Sequence, residues 1–270
     1  MDSRRANVVL CVIIIFLVIT LAIPFIEMAR VRAAKQTTID TLKHLTLALE
    51  VCNDTHGKLP PAFDRFANID YPCSLHVHLL PFVHQDEMYR GYLQKGGGNS
   101  HAIVPLYLAA SDTATVPGNG IQNFAGNLRV FSKKGLDTNW EKDMSELAAV
   151  EPGAAMIPRT FQIGTSNSVV FATKYRQCGS GGSHFTAEPN SEFAAFFGQN
   201  AARIPADSSN PRATFQLAPN QVECLARPLM AQSFTDDVLI TGLADGSVRT
   251  FKPTVDVVVW NRALQPNAWP

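Results

Sequence analysis

Val8-Val9-Leu10-Cys11-Val12-Ile13-Ile14-Ile15-Phe16-Leu17-Val18-Ile19-Thr20-Leu21-Ala22-Ile23-Pro24-Phe25-Ile26 is a run of nineteen residues without a charged side chain. About 20 apolar residues, rising 1.5 Å each, cross a hydrocarbon core of roughly 30 Å. Arg5 and Asn7 bound the run on one side, Glu27 and Arg30 on the other. A cleavable secretory signal has a shorter apolar region and a small-residue cut site. Here the nearest such site, Val31-Arg32-Ala33, lies beyond the run among arginines, so an uncleaved anchor fits better. Arg4 and Arg5 precede the run, and Arg30, Arg32 and Lys35 follow it, so counting Lys and Arg barely sets an orientation. A short leader retained in the cytoplasm, with the larger C-terminal part outside, is the expected topology. The partner of residues 8–26 is then membrane lipid.

The helical pattern does not stop at the membrane. Ile39, Leu42, Leu45 and Leu49 recur at three- and four-residue spacing, while Lys35, Asp40, Lys43 and Glu50 occupy other faces. Gly57 supplies a left-handed stop, and Pro60 and Pro61 prevent resumption. One helix from about residue 6 to 55 is predicted, with a kink at Pro24, where a backbone donor is missing. The chain divides into a leader and membrane segment (1–26), an amphipathic continuation (27–57) and a β-rich globular part (58–270).

In that last part the spacing predicts a strand over Ser74-Leu75-His76-Val77-His78-Leu79-Leu80 and a short helix over Gln85–Tyr92 that ends at Gly96-Gly97-Gly98. Weaker strands are expected at Leu106–Leu108 and Asn127–Phe131, and helical turns over Asp143–Val150. Ser168–Lys174 reads as a strand, Gly179–Ser183 as a turn, and Asn190–Phe197 as a helix capped by Asn190. The clearest hairpin joins Val238–Ala244 to Ser247–Phe251 through Asp245-Gly246.

Charge and cysteines narrow the function classes. With 23 basic and 23 acidic residues the net charge is zero, which gives nucleic-acid binding no electrostatic support. The 17 Gly and 17 Pro suit a loop-rich ectodomain rather than a helical bundle. Of five cysteines, Cys11 lies in the apolar run; Cys52, Cys73, Cys178 and Cys224 form an even set. Three pairings exist, and Cys52–Cys73 with Cys178–Cys224 close moderate loops; four reduced, buried thiols are the alternative. Without C-x-x-C, zinc-ribbon and thioredoxin chemistry are unsupported.

Few residues suggest chemistry. His76 and His78, with His84, Asp86 and Glu87 close behind, could hold a metal, but the wet face of an edge strand is the simpler reading. Asp236, Asp237 and Asp245 lack the dense spacing of a calcium loop and read as turn residues. Gly164-Thr165-Ser166-Asn167-Ser168 is a turn entering a strand, and Gly179-Ser180-Gly181-Gly182-Ser183 lacks the Lys of a phosphate loop. No catalytic, cofactor-binding or metal-binding residue is assigned; an anchored hydrolase stays a minority reading.

Several stretches, in order, carry a family resemblance. They are Ile23-Pro24 with Ala29-Arg30-Val31-Arg32-Ala33-Ala34; Leu42-Lys43-His44-Leu45 leading to Ala48-Leu49; and Asn53-Asp54-Thr55-His56-Gly57-Lys58-Leu59-Pro60-Pro61-Ala62. His76-Val77-His78-Leu79-Leu80-Pro81-Phe82-Val83, Asn123-Phe124-Ala125-Gly126-Asn127, Gly164 to Ser168 and Ala244-Asp245-Gly246-Ser247-Val248 follow. The chain resembles type IV pilins and type II secretion pseudopilins, and more closely the bacterial family DUF1559, described as pseudopilin-like. The resemblance implies an α+β, pilin-like fold: a long N-terminal transmembrane and amphipathic helix packed on an antiparallel β-sheet head. It also implies an envelope location and does not by itself imply a reaction; protein partners or self-assembly are expected. The chain departs from the pattern at several points. Prepilins carry Gly-Phe-Thr-Leu-x-Glu before the apolar run; counting back from Pro24, that Glu would fall at Ala6 or Asn7. Thr235 stands where the family has His, and Phe171-Ala172-Thr173 where it has Phe-Ala-Glu.

Overall fold

The computed structural model describes residues 3–94, 98–113, 120–132, 155–189, 191–198, 214–220, 224 and 229–266. Its first element, α1 (Ser3–His56), is 54 residues long and runs through Pro24 without a break in assignment. Among the described side chains of its first half, Val12, Phe16, Leu21 and Phe25 are all more than half exposed. Among the described residues this is the one helix long and apolar enough to span a membrane. From residue 38 the helix changes role. Thr38, Leu42, Leu45, Thr46, Leu49 and Cys52 are buried on one stripe, while Asp40, Lys43 and His44 face out. Gly57 ends the helix at φ +69°, its N–H donating to Asn53 O at 2.7 Å.

The stripe docks on a five-stranded sheet. The remaining elements are β1 (Phe63–Phe66), β2 (Ile69–Ser74), α2 (Leu75–Leu79), α3 (Asp86–Leu93), β3 (Phe124–Asn127), α4 (Leu128–Phe131), β4 (Val169–Thr173), β5 (Gln177–Cys178), β6 (Gly181–Gly182), β7 (Phe196–Phe197), β8 (Gln216–Leu217), β9 (Gln232–Ser233), β10 (Leu239–Leu243), β11 (Val248–Phe251) and α5 (Val257–Leu264). Strand order in the main sheet is β11-β10-β4-β3-β7. The pairs are antiparallel except β3 with β7, which is parallel, so the sheet is mixed where an antiparallel one was expected.

Alternation along the strands gives each face its own core. Phe124, Phe196 and Ile240 point to the α1 side, joining Leu42, Leu45 and Leu49. Ala125, Phe197, Leu239 and Leu243 point the other way, where Trp260 and Leu264 of α5 meet Phe215 and Met230. The layers are therefore helix, sheet and helix, and the architecture is α+β as expected. Closest approach falls at Gly242 of β10. A Cβ there would collide with Thr46 Cγ2 and come within 3.3 Å of Leu42 Cδ1. The Thr46 hydroxyl shares its proton between Lys43 O (2.8 Å) and Gly246 O (3.1 Å), which ties α1 to the hairpin turn.

The hairpin and β4 form where expected, with Gly246 at φ +76° in the turn and Asp245 Oδ1 accepting from Ser247 N (3.1 Å) and Oγ (2.6 Å). Other expectations are corrected. Leu75–Leu79 is a helix continued by a 3₁₀ turn, Leu80–Val83, and not a strand. Alternation marks a strand only when one face is wet, and here His76 and His78 are as buried as the leucines between them. Leu106–Leu108 lies at a 3₁₀ turn, Pro105–Tyr107. Asn127–Phe131 is mostly α4, because the Asn127 side chain accepts from Arg129 N at 3.1 Å and caps a helical turn. Phe196–Phe197 is a strand rather than the end of a helix, drawn out by pairing with β3. Asp143–Val150, Asn190, Gly96 and Gly97 lie outside the described residues.

Cys178 and Cys224 form a disulfide with Cα atoms 5.7 Å apart. Cys52 and Cys73 do not pair; both are buried free thiols. Burial pushes the Cys52 thiol up to about 12, and it raises Cys73 against the opposing hydrogen bond from Tyr71.

Two measurements check this packing. Gly242→Ala should destabilise the head by about 1–3 kcal/mol by overpacking. Adding Thr46→Ser, which removes Cγ2 but keeps the hydroxyl, should restore part of the loss in denaturant melts; a neutral Gly242→Ala would contradict the close approach. Separately, unfolding without reductant should expose three reactive thiols, Cys11, Cys52 and Cys73; a count of one would mean that Cys52 and Cys73 are joined.

Candidate functional site

Three groups of polar residues deserve a chemical reading, and the first is the junction of helix and head. Lys35 Nζ meets Asp237 Oδ2 at 2.7 Å. Three residues on, the Thr38 hydroxyl accepts from Ser111 N at 3.0 Å. Burial works against ionisation of Asp237. Lys35, the Thr235 hydroxyl and Val238 N outweigh it and hold the carboxylate below its usual range. A recess opens beside this pair, lined by Lys35, Ser111, Thr173, Ser233, Phe234 and Thr235 and enclosing about 230 Å³ including its open mouth. Asp236, Asp237 and Asp245, weighed as a calcium set and read instead as turn residues, include this carboxylate. The structure separates them: Asp237 precedes β10, and Asp245 caps the turn at its far end.

The second group contains the two histidines, and it lies in the core. His76 Nε2 donates to Phe124 O at 2.8 Å, and a carbonyl can only accept, so the proton sits on Nε2. Nδ1 is then the acceptor for Gln122 Nε2 at 3.2 Å, while Tyr107 Oη donates to His76 O at 2.6 Å. His78 Nε2 donates to Asp64 O at 2.8 Å. Desolvation lowers both imidazoles to about 4, only partly offset by these carbonyls. The expectation of a wet strand face is therefore corrected: both rings are neutral core residues two positions apart on a helix, which aim in different directions. His84 stands apart, exposed, in a left-handed conformation at the end of the 3₁₀ turn. Among the described residues no three His, Cys, Asp or Glu side chains converge as metal ligands.

The third group was not anticipated. Lys174, at the end of β4, is 2% exposed, and its Nζ donates to Ala194 O and to Phe196 O, the latter at 3.4 Å. Desolvation lowers it to about 7. Beside it Asn123 Nδ2 donates to Asp112 Oδ2 (2.7 Å) and Lys174 O (3.1 Å), and Asn123 Oδ1 accepts Ala109 N (2.9 Å). Arg176 completes the group, with Nε 3.5 Å from Asp112 Oδ2 and Nη2 donating to Asp112 O at 2.7 Å. Most of these contacts reach backbone carbonyls and amides of separate segments, and Asp112 joins Asn123 to Arg176, so the group acts as a brace. Its partners are far apart in sequence, and no local spacing announces it.

The described glycines of these loops are closely packed. A Cβ at Gly181 would lie 2.7 Å from Glu192 O, and one at Gly98 would collide with the Tyr92 ring. Thr165–Asn167 is a 3₁₀ turn entering β4, in which Ser168 Oγ donates to Gly164 O at 3.0 Å and Asn167 Nδ2 to Ile163 O at 2.9 Å. The Ser168 hydroxyl and the Asn167 amide are thus engaged within the turn. The feature with the clearest chemical use is therefore the helix itself, apolar and bare in one half and docked in the other, with the Lys35–Asp237 junction where the two meet. Comparison with protein-family profiles, curated proteins and solved structures finds no match.

The buried cations and imidazoles fix the pH response. Between about pH 4 and 6.5 the unfolded chain binds more protons than the folded one at His76 and His78, so stability falls on acidification through that window. The limiting slope is about 1.4 kcal/mol per pH unit for each ring. Lys174 gives the same sign higher up: between about 7 and 10.5 the unfolded state holds the extra proton, and stability rises with pH. Denaturant midpoints from pH 5 to 9 should therefore climb, His76→Gln flattening the acid limb and Lys174→Met the alkaline one. Limbs unchanged by these substitutions would refute the assignment.

Proposed function

We propose that the protein is a pseudopilin-like structural or interaction component of the bacterial envelope, held in the membrane by residues 8–26 and belonging to a secretion-type assembly. The observation that carries this reading is the single helix Ser3–His56, whose bare apolar half continues without a linker into a half buried on the sheet. That division is what a lipid anchor rigidly joined to a head requires. The Cys178–Cys224 disulfide supports an extracytoplasmic head, since such bonds persist in oxidising compartments, and the leader then lies in the cytoplasm. The family resemblance to DUF1559 points the same way. The working parts are the membrane helix for lateral packing and the head for partner contact.

A second reading, a stand-alone anchored binding module, is favoured by one sequence feature. Ala6 and Asn7 occupy the place of the prepilin Glu, which in an assembled pilus pairs with a neighbouring subunit.

A photo-crosslinker at Phe16 of the full-length chain in native membranes separates the two. Assembly should give a ladder of multimers, and the module should give monomer alone. Release of the intact chain from membranes by alkaline wash would defeat both.

A further inference from the structure

The sheet has a direction relative to the anchor. Lys35 of α1 binds Asp237 just before β10, while Thr46, Leu47 and Glu50 meet Gly246 just after it. Helix and strand therefore run side by side in the same sense, and the end of the sheet carrying Asp237 faces the apolar half of α1. Phe251 pairs with Leu239, so β11 returns to that same end. There a turn, closed by Val255 N donating to Lys252 O at 3.0 Å, leads into α5.

Helix α5 then climbs away. Asn127 Nδ2 donates to both Leu264 O (2.8 Å) and Val169 O (2.7 Å), and Val169 pairs with Leu243 at the far end of β10. Its first turn, Val257-Val258-Val259, thus sits on the anchor side of the head. Trp260, Ala263 and Leu264 are buried against the sheet, but Val258 is 73% and Val259 54% exposed. Asp256 Oδ1 already accepts Val258 N (2.8 Å) and Val259 N (3.2 Å), so this helix end is capped and what it offers is apolar. Lys252 and Arg262 flank it, exposed.

Height is consistent with lipid contact. Lys35 lies nine residues beyond Ile26 (35 − 26), or about 13.5 Å at 1.5 Å per residue. The polar layer beyond the hydrocarbon takes up roughly 5–7 Å of that. The anchor-side rim of the head therefore stands within a few side-chain lengths of the headgroups.

We infer that Val258 and Val259 are a second membrane contact, turned toward the headgroup layer of the leaflet from which α1 emerges, with Lys252 on the same side of the head to meet lipid phosphates. The inference rests on the anchored reading of residues 8–26. Continuity with that segment is what selects a bilayer rather than another protein as the occupant.

The test uses the full-length chain with Cys11→Ser and Val258→Cys, labelled with an environment-sensitive fluorophore and reconstituted in phosphatidylcholine–phosphatidylglycerol vesicles. Cys52 and Cys73 are buried and Cys178 is paired with Cys224, so the label goes to the new thiol. Nitroxides near the headgroup should quench this probe several-fold more than the same probe at Leu47→Cys, which is exposed at the far end of the head. Equal quenching of both probes by aqueous iodide would overturn the contact. Shielding of the Val258 probe from both quenchers would also overturn it, because a protein would then be the cover. A label on native Cys11 reports the anchor separately. If acyl-chain nitroxides quench Cys11 while Val258 stays aqueous, the anchor stands and this contact falls; if Cys11 is itself aqueous, the anchored reading fails.

Discussion

The close approach of α1 to β10 is the contact on which the rest of the head depends. Gly242 lets the helix reach the sheet, and Thr46 bonds across to the hairpin turn. Leu42, Leu45 and Leu49, all fully buried, can then fill the space between the layers. Each such side chain contributes about 1.5–3 kcal/mol when taken from water. Among the described side chains of the first half of the helix no comparable burial exists, and Val12, Phe16, Leu21 and Phe25 face outward. One continuous element thus has two solvents, and the change falls between Ala34, half-buried, and Thr38, fully buried.

Side-chain amides supply what short strands cannot. The longest strand of the main sheet has five residues and β7 has two, so many loop groups lack ladder partners. Asn53 behaves like a strand residue, its Nδ2 donating to Ile157 O at 3.1 Å and its Oδ1 accepting Ile157 N at 2.9 Å. Asn127 ties β3 to β4 and α5, and Asn123 links Ala109, Asp112 and Lys174. Buried polar groups of this kind hold a loop-rich head together because each is satisfied.

What was legible in the sequence is what local chemistry decides. The apolar run, the Leu42–Leu45–Leu49 stripe, the Gly57 stop and the Asp245-Gly246 turn need no distant partner, and each forms where expected. The stretch at His76 and His78 misled because its polar residues are buried, and their burial depends on Phe124, Gln122 and Asp64 elsewhere in the chain. Phe196–Phe197 became a strand through pairing with β3. Cys52 and Cys73 close a moderate loop on paper and share one core cluster, yet stay unpaired, with Cys73 meeting the Tyr71 hydroxyl rather than a disulfide partner. Lys174 could not be singled out at all, since its acceptors lie at Ala194 and Phe196.

Because no linker interrupts Ser3–His56, the head is geared to its anchor. At 3.6 residues per turn, inserting one residue between Glu27 and Ala34 would swivel the head by about 100° and lift it by about 1.5 Å. Any neighbour that grips the anchor sideways in the bilayer therefore dictates the compass bearing of every surface above it. A pull on the head, in turn, travels down a rod about 81 Å long with no slack to absorb it.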